Sequence, residues 1–172
     1  MENAIIFFCD IHGTIKGNIE NKETDYIKLN NLLNSISINN DNCKIIFTLV
    51  SSESKEELKS ILTTLKKYLN GNINFHKQFY EKGYIKENSY EEIINGKFSQ
   101  MIYYIKEIKQ SNNILSVYYA DDSIFLQDLI NEYMQINETD IPLEQIIPVE
   151  KNGLKEVNEL LSIKLGLNNL NM

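Results

Sequence analysis

Five short apolar runs, Ala4 to Cys9, Lys44 to Val50, Asn72 to Phe75, Ile114 to Ala120 and Ile146 to Val149, are separated by stretches of helical period. Runs this short and this rich in β-branched or aromatic residues read as strands buried on both faces. The intervening stretches carry apolar stripes three and four residues apart. The clearest, Leu58, Ile61, Leu62, Leu65 and Leu69, follows Ser54 and Glu57, which read as a capping box. Tyr26, Leu29, Leu33 and Ile36 form a second stripe, and Met101, Ile102, Ile105 and Ile108 a third. Phe125, Leu129, Ile130 and Tyr133 form a fourth, and Leu154, Val157, Leu161 and Leu165 a fifth. Alternating strands and helices predict a Rossmann-like three-layer α/β/α sandwich around a five-stranded, mainly parallel sheet. With 172 residues, the chain is expected to form one domain over 1–172. The stretch from His76 to Gly96 has no clean period and reads as irregular connection, with a short helix around Tyr90 to Ile94.

Charge narrows the partners. The formal net charge is −7, and all basic side chains are lysines because the chain contains no arginine. Without a basic face, general nucleic-acid binding is not expected. The longest apolar run, Ala4 to Cys9, is far shorter than the roughly 20 residues of a membrane-spanning helix. Met1-Glu2-Asn3 has no basic region of the kind that opens a signal peptide, so a cytoplasmic protein with Cys9 and Cys43 as reduced thiols is expected.

In a parallel sheet of this kind ligands bind beyond the carboxyl ends of the strands, so the residues there carry the functional reading. The first strand runs into Asp10-Ile11-His12-Gly13-Thr14, a carboxylate followed by a glycine that permits an unusual turn and then a hydroxyl. The second ends at Ser51-Ser52 before a capped helix, a place for anion binding as well as for a simple cap. The fourth ends in Asp121-Asp122. Adjacent carboxylates need a cation or hydrogen-bond donors, and oxygen ligands of this type suit Mg²⁺. Lys97 follows Gly96 and reads as the opening of a helix.

Taken in order, these residues resemble the haloacid dehalogenase superfamily of phosphohydrolases. The apolar strand and Asp10-Ile11-His12-Gly13-Thr14 match its first motif, Asp-x-Asp-Gly-Thr, except at His12. Ser51, or else Thr48, matches the second motif, Lys97 the third, and Asp121 with Asp122 the paired-Asp form of the fourth. The resemblance implies a Mg²⁺-dependent phosphomonoesterase in which Asp10 forms an aspartyl-phosphate. It implies Mg²⁺ held by Asp10, the His12 carbonyl and Asp121 or Asp122, with Ser51 and Lys97 on the phosphoryl oxygens. The family's general acid stands where this chain has His12. Imidazole has the chemistry for that role, and its presence equally fits a relative that binds Mg²⁺ and a phosphorylated ligand without turnover. The gaps between motifs leave no room for a large cap domain. An open site then implies either a macromolecular phosphate or a small one enclosed by a neighbouring subunit of a homo-oligomer.

Other phosphate chemistries fail on residue counts. Asp10-Ile11-His12 looks like the start of a dinuclear metallophosphoesterase, but the chain has only two histidines, His12 and His76. No phosphate-binding Gly-x-x-x-x-Gly-Lys or dinucleotide-binding Gly-x-Gly-x-x-Gly is present. Tyrosines 80, 84, 90, 103, 104, 118 and 119 are candidate substrate contacts as well as core residues with a wet hydroxyl, and His76 is expected at the surface.

Overall fold

The computed structural model describes residues 1–51, 54–76, 90–136 and 141–167. Five strands, β1 (Glu2–Cys9), β2 (Lys44–Leu49), β3 (Ile73–Phe75), β4 (Asn112–Ala120) and β5 (Leu143–Ile146), form one sheet in the order β3-β2-β1-β4-β5. All neighbouring pairs are parallel. The helices are α1 (Glu23–Ile38), α2 (Lys55–Tyr68), α3 (Tyr90–Lys109), α4 (Ile124–Ile136) and α5 (Leu154–Lys164).

The two-residue alternation of the central strands sorts the helices into two layers. Ile5, Phe7 and Cys9 of β1 pack with Leu29 and Leu33 of α1, Leu58 and Leu62 of α2, and Val157 and Leu161 of α5. Ala4, Ile6 and Phe8 face the other way, onto Met101 and Ile105 of α3 and Leu126 and Ile130 of α4. The result is a three-layer α/β/α sandwich. From β1 the chain winds outward through β2 to β3, then crosses back to β4 and β5, so strand order reverses between β1 and β4. In open parallel sheets the crevice at that reversal is where ligands bind.

Three helix and strand assignments need correction. The edge strand is Leu143–Ile146, earlier than the Ile146–Val149 run; Val149 is 72% exposed. As an edge strand, β5 tolerates half-buried Glu144 and Gln145, so its signal is not a continuous apolar run. Gly96 does not start a helix but lies within the 20-residue α3. A single interior glycine costs about 1 kcal/mol, too little to break a helix with Met101, Ile105 and Ile108 buried along it. Tyr90 to Ile94 is therefore the first part of that helix. On α4 the buried line is Leu126, Ile130 and Met134, whereas Leu129 is 37% exposed. The side chain of Phe125 and residues 77–89, with Tyr80 and Tyr84, lie outside the described residues, as does the side chain of Tyr90.

Candidate active site

The carboxyl ends of β1 and β4 are fastened side by side. The Asp10 N–H donates to the Ala120 carbonyl at 2.9 Å and the Asp121 N–H to the Ile146 carbonyl at 3.1 Å. Asp10 and Asp121 thereby leave adjacent strands at the reversal point with their carboxylates buried, 3% and 0% exposed. Lys97 reaches them from α3, 87 residues along the chain from Asp10. Its ammonium donates to Asp10 Oδ1 at 2.7 Å and lies 3.5 Å from Asp121 Oδ2. Lys97 sits two turns into α3 rather than at its opening, so its role comes from the carboxylates it meets and owes little to the helix end.

Asp121 is held on several sides. Oδ2 accepts from the buried Tyr119 hydroxyl, Oδ1 accepts from the Ser123 N–H at 2.7 Å, and Gln127 Nε2 donates to the Asp121 carbonyl at 2.7 Å. Asp122 is less enclosed. Its carboxylate presses against Gly13, where an added Cβ would lie 2.4 Å from Oδ2, and Gly13 has a φ of +80°. Both the backbone and the space therefore require glycine at that position. One carboxylate oxygen from each of Asp10, Asp121 and Asp122 falls within 4.8 Å of the others.

Electrostatics describe a site with too much negative charge. Burial, followed by the Asp121 carboxylate, pushes the Asp10 carboxyl from 3.8 up to about 7 even though Lys97 pulls it down. Asp121 is raised too, by burial against the opposing pull of Lys97 and Tyr119. Burial pulls Lys97 down, but Asp10 and Asp121 outweigh it and hold the ammonium above its ordinary value. Three carboxylates thus face one buried ammonium, and a second cation is the direct remedy. An all-oxygen donor set fits a hard divalent cation such as Mg²⁺. Cys9, just before Asp10, has its thiol raised well above the usual range by burial and stays protonated.

The other sequence candidates are placed as follows. Ser51 is buried, 2% exposed, just past β2 on the strand neighbouring β1; Ser52 is outside the described residues. Thr48 is the penultimate residue of β2, opposite Phe8 and on the face shared by Ile46 and Val50, which places it under the helix layer. Its hydroxyl has no hydrogen-bond partner among the described residues, and neither does that of buried Thr14. The His12 side chain is 57% exposed, with Nε2 3.8 Å from Glu57 Oε1, the same oxygen that accepts from Lys16 at 2.7 Å. Ser54 caps α2 by accepting from the Glu57 N–H, but the Glu57 carboxylate turns to Lys16, so the capping box is only half formed. His76, expected at the surface, is mostly covered. It sits edge-on to Tyr104 at 4.8 Å and 3.7 Å from Glu107, beside a cavity of about 480 Å³ remote from Asp10. Tyr118 stacks on Phe7, and Tyr104 and Tyr119 are fully buried, so these three are core residues; Tyr103 is 41% exposed.

Two contacts at the site go beyond the sequence expectations: the Tyr119 hydroxyl, a candidate for substrate, is taken by Asp121, and Lys151 was no candidate at all. Tyr119 lies near the end of β4, two positions before Asp121, a spacing that puts both side chains on one side of the chain. Lys151, whose ammonium is 3.4 Å from Asp122 Oδ2, comes from the turn after β5 and has no local signature.

No helix among the described residues is long and apolar enough to cross a membrane. No family model matches the sequence, and no curated protein does either. Among solved structures, the chain is similar to the crystal structure of TcCGT1 in complex with UDP, with 8% identity and a TM-score of 0.52. The match covers 87% of this chain and 29% of the other, so the chain spans under a third of that structure's length. At this identity the likeness concerns the fold, a Rossmann-like parallel sheet with helices on both faces.

Proposed function

We propose that this chain is a Mg²⁺-dependent phosphomonoester hydrolase of the haloacid dehalogenase type, acting through an aspartyl-phosphate on Asp10. The observation that carries the reading is the Lys97–Asp10 contact of 2.7 Å at the reversal point, with Asp121 and Asp122 beside it. A carboxylate approaches a dianionic phosphate only where positive charge offsets the repulsion, and Lys97 is held there by two carboxylates.

In this reading Asp10, the His12 carbonyl and Asp122 hold Mg²⁺, with Asp121 engaged by Tyr119 and Ser123. Bound there, Mg²⁺ would withdraw charge from the phosphoryl oxygens. Lys97 and Ser51 bind those oxygens. An Asp10 oxygen bonds to phosphorus while the ester oxygen departs with a proton from His12. Water then attacks phosphorus, giving its proton to His12 and regenerating the Asp10 carboxylate.

A second reading, binding of a phosphorylated ligand without turnover, is favoured by one observation: the half-exposed His12 imidazole leans toward Glu57 at the rim. Phosphate release from an aryl phosphate with Mg²⁺, measured between about pH 5 and 8, separates the two. The hydrolase reading expects activity in the native chain, a loss of about 10³-fold or more in Asp10→Asn, and a smaller loss with altered pH dependence in His12→Ala. No native activity, with activity appearing in His12→Asp, would establish the binding reading instead.

A further inference from the structure

We infer that Lys151 binds a second anionic group on the substrate, so that the chain prefers phosphomonoesters bearing a carboxylate or another phosphate beyond the ester oxygen. This inference rests on the phosphohydrolase reading for what happens at Asp10, but its own basis is the turn that carries Lys151. That turn follows the edge strand β5 and lies beside the end of β4. Lys151 has a φ of +57°, a left-handed conformation shared among described non-glycine residues only with Asp41 and Asn42. Asp and Asn tolerate it through local hydrogen bonds, whereas a lysine gains nothing of that kind.

The surroundings enforce the conformation. Glu156, only 8% exposed, accepts from the N–H groups on either side of Lys151, Glu150 at 3.0 Å and Asn152 at 2.9 Å. The Lys151 carbonyl accepts from the Asn18 N–H at 2.6 Å, and Asn18 Nδ2 donates to the Glu150 carbonyl at 3.1 Å. Gly17 packs so closely that a Cβ there would lie 2.2 Å from the Lys151 carbonyl oxygen. A buried carboxylate and a glycine contact thus hold one lysine in a strained backbone state, and such strain concentrates at functional positions.

The device delivers an ammonium to the open side of the site. Lys151 Nζ is 3.4 Å from Asp122 Oδ2, and the side chain remains 55% exposed. A cation on the carboxylate trio would take up the Asp122 charge, leaving Lys151 to face whatever enters from solvent. Lys97, buried at Asp10, serves the transferred phosphoryl group, and Lys151 faces the remainder of the molecule. An ion pair this exposed contributes little to stability, so folding alone does not call for an ammonium at this position.

The test compares phenylphosphonate with 4-carboxyphenylphosphonate by calorimetry in Mg²⁺ at low salt, which needs no turnover. It is paired with kcat/KM for phenyl phosphate and 4-carboxyphenyl phosphate. The variants are Lys151→Asn, which suits the left-handed turn, and Lys151→Arg, which keeps the charge, each checked for an unchanged melting temperature. The native chain should favour the carboxylated ligand by about five- to tenfold, Lys151→Arg should retain this, and Lys151→Asn and added salt should reduce it toward one. If binding discriminates but neither ester is hydrolysed, the hydrolase reading fails while the role of Lys151 stands. Equal preference in native and Lys151→Asn protein would overturn the inference. So would a Lys151→Asn effect confined to Mg²⁺ affinity, because Lys151 would then only balance Asp122.

Discussion

The two ends of the same central sheet hold ion pairs of opposite character. At the amino end Lys44 of β2 lies 3.4 Å from Glu2 of β1, with side chains 26% and 67% exposed. At the carboxyl end Lys97 lies 2.7 Å from Asp10, with side chains 11% and 5% exposed, and two more carboxylates crowd the same space. Water solvates the first pair and makes it nearly neutral for stability. The second pair has lost water, and desolvation leaves its carboxyl groups raised rather than lowered. A sheet needs no buried carboxylates to fold, and the three gathered here beside Lys97 are the feature on which the proposed Mg²⁺ site rests.

That contrast is broken most sharply at the lysines. Lys97→Met leaves Asp10 and Asp121 buried without a cation, and urea unfolding of the metal-free protein near neutral pH should show a loss of about 3–5 kcal/mol. A loss below 1 kcal/mol would mean that the carboxylates are already neutral or hydrated. Next in size is cation linkage. Mg²⁺ at a hundred times its dissociation constant should stabilise the native chain by about 2.7 kcal/mol in the same assay, an effect that Asp122→Asn should remove.

The pH dependence has a definite sign. Asp10 titrates at 3.8 when unfolded and at about 7 when folded, so the folded chain binds the extra proton between those values. Its contribution to stability is full below 3.8 and is lost as pH rises through about 7. Without divalent cations, native protein should therefore lose stability relative to Asp10→Asn as pH rises across that window, and a difference that stays flat would refute the shift. The smallest effect belongs to the amino end, where Glu2→Gln should change stability by less than about 0.5 kcal/mol at any of these pH values.

Much of this arrangement was legible in the sequence because strand ends are local events. Asp10 and the Asp121-Asp122 pair stand directly after apolar runs, and the alternation of runs and stripes already implied that parallel strands bring them to one edge. Gly13 was legible as a turn residue, but its close approach to Asp122 was not, since the two come from different strands. Lys97 is legible only from its place in the order of motifs, and no helix starts at Gly96 because one interior glycine is too weak to interrupt α3. The half-buried character of β5 hid that strand, and with it the position of the turn after it. Lys151 was beyond local reading for that reason: its role depends on Glu156, Asn18 and Gly17 converging from separate segments.

Asp10 is the proposed acceptor in phosphoryl transfer. Acid-quenching the protein during turnover of an aryl phosphate with Mg²⁺, reducing with borohydride and mapping peptides by mass spectrometry tests this directly. Position 10 should be recovered as homoserine, the reduced form of an acyl-phosphate, only when Mg²⁺ is present and in greater yield from His12→Ala, where water attack is slowed. Phosphate release with no homoserine at position 10 in either protein, or with the reduced product on another residue, would contradict phosphoryl transfer to Asp10.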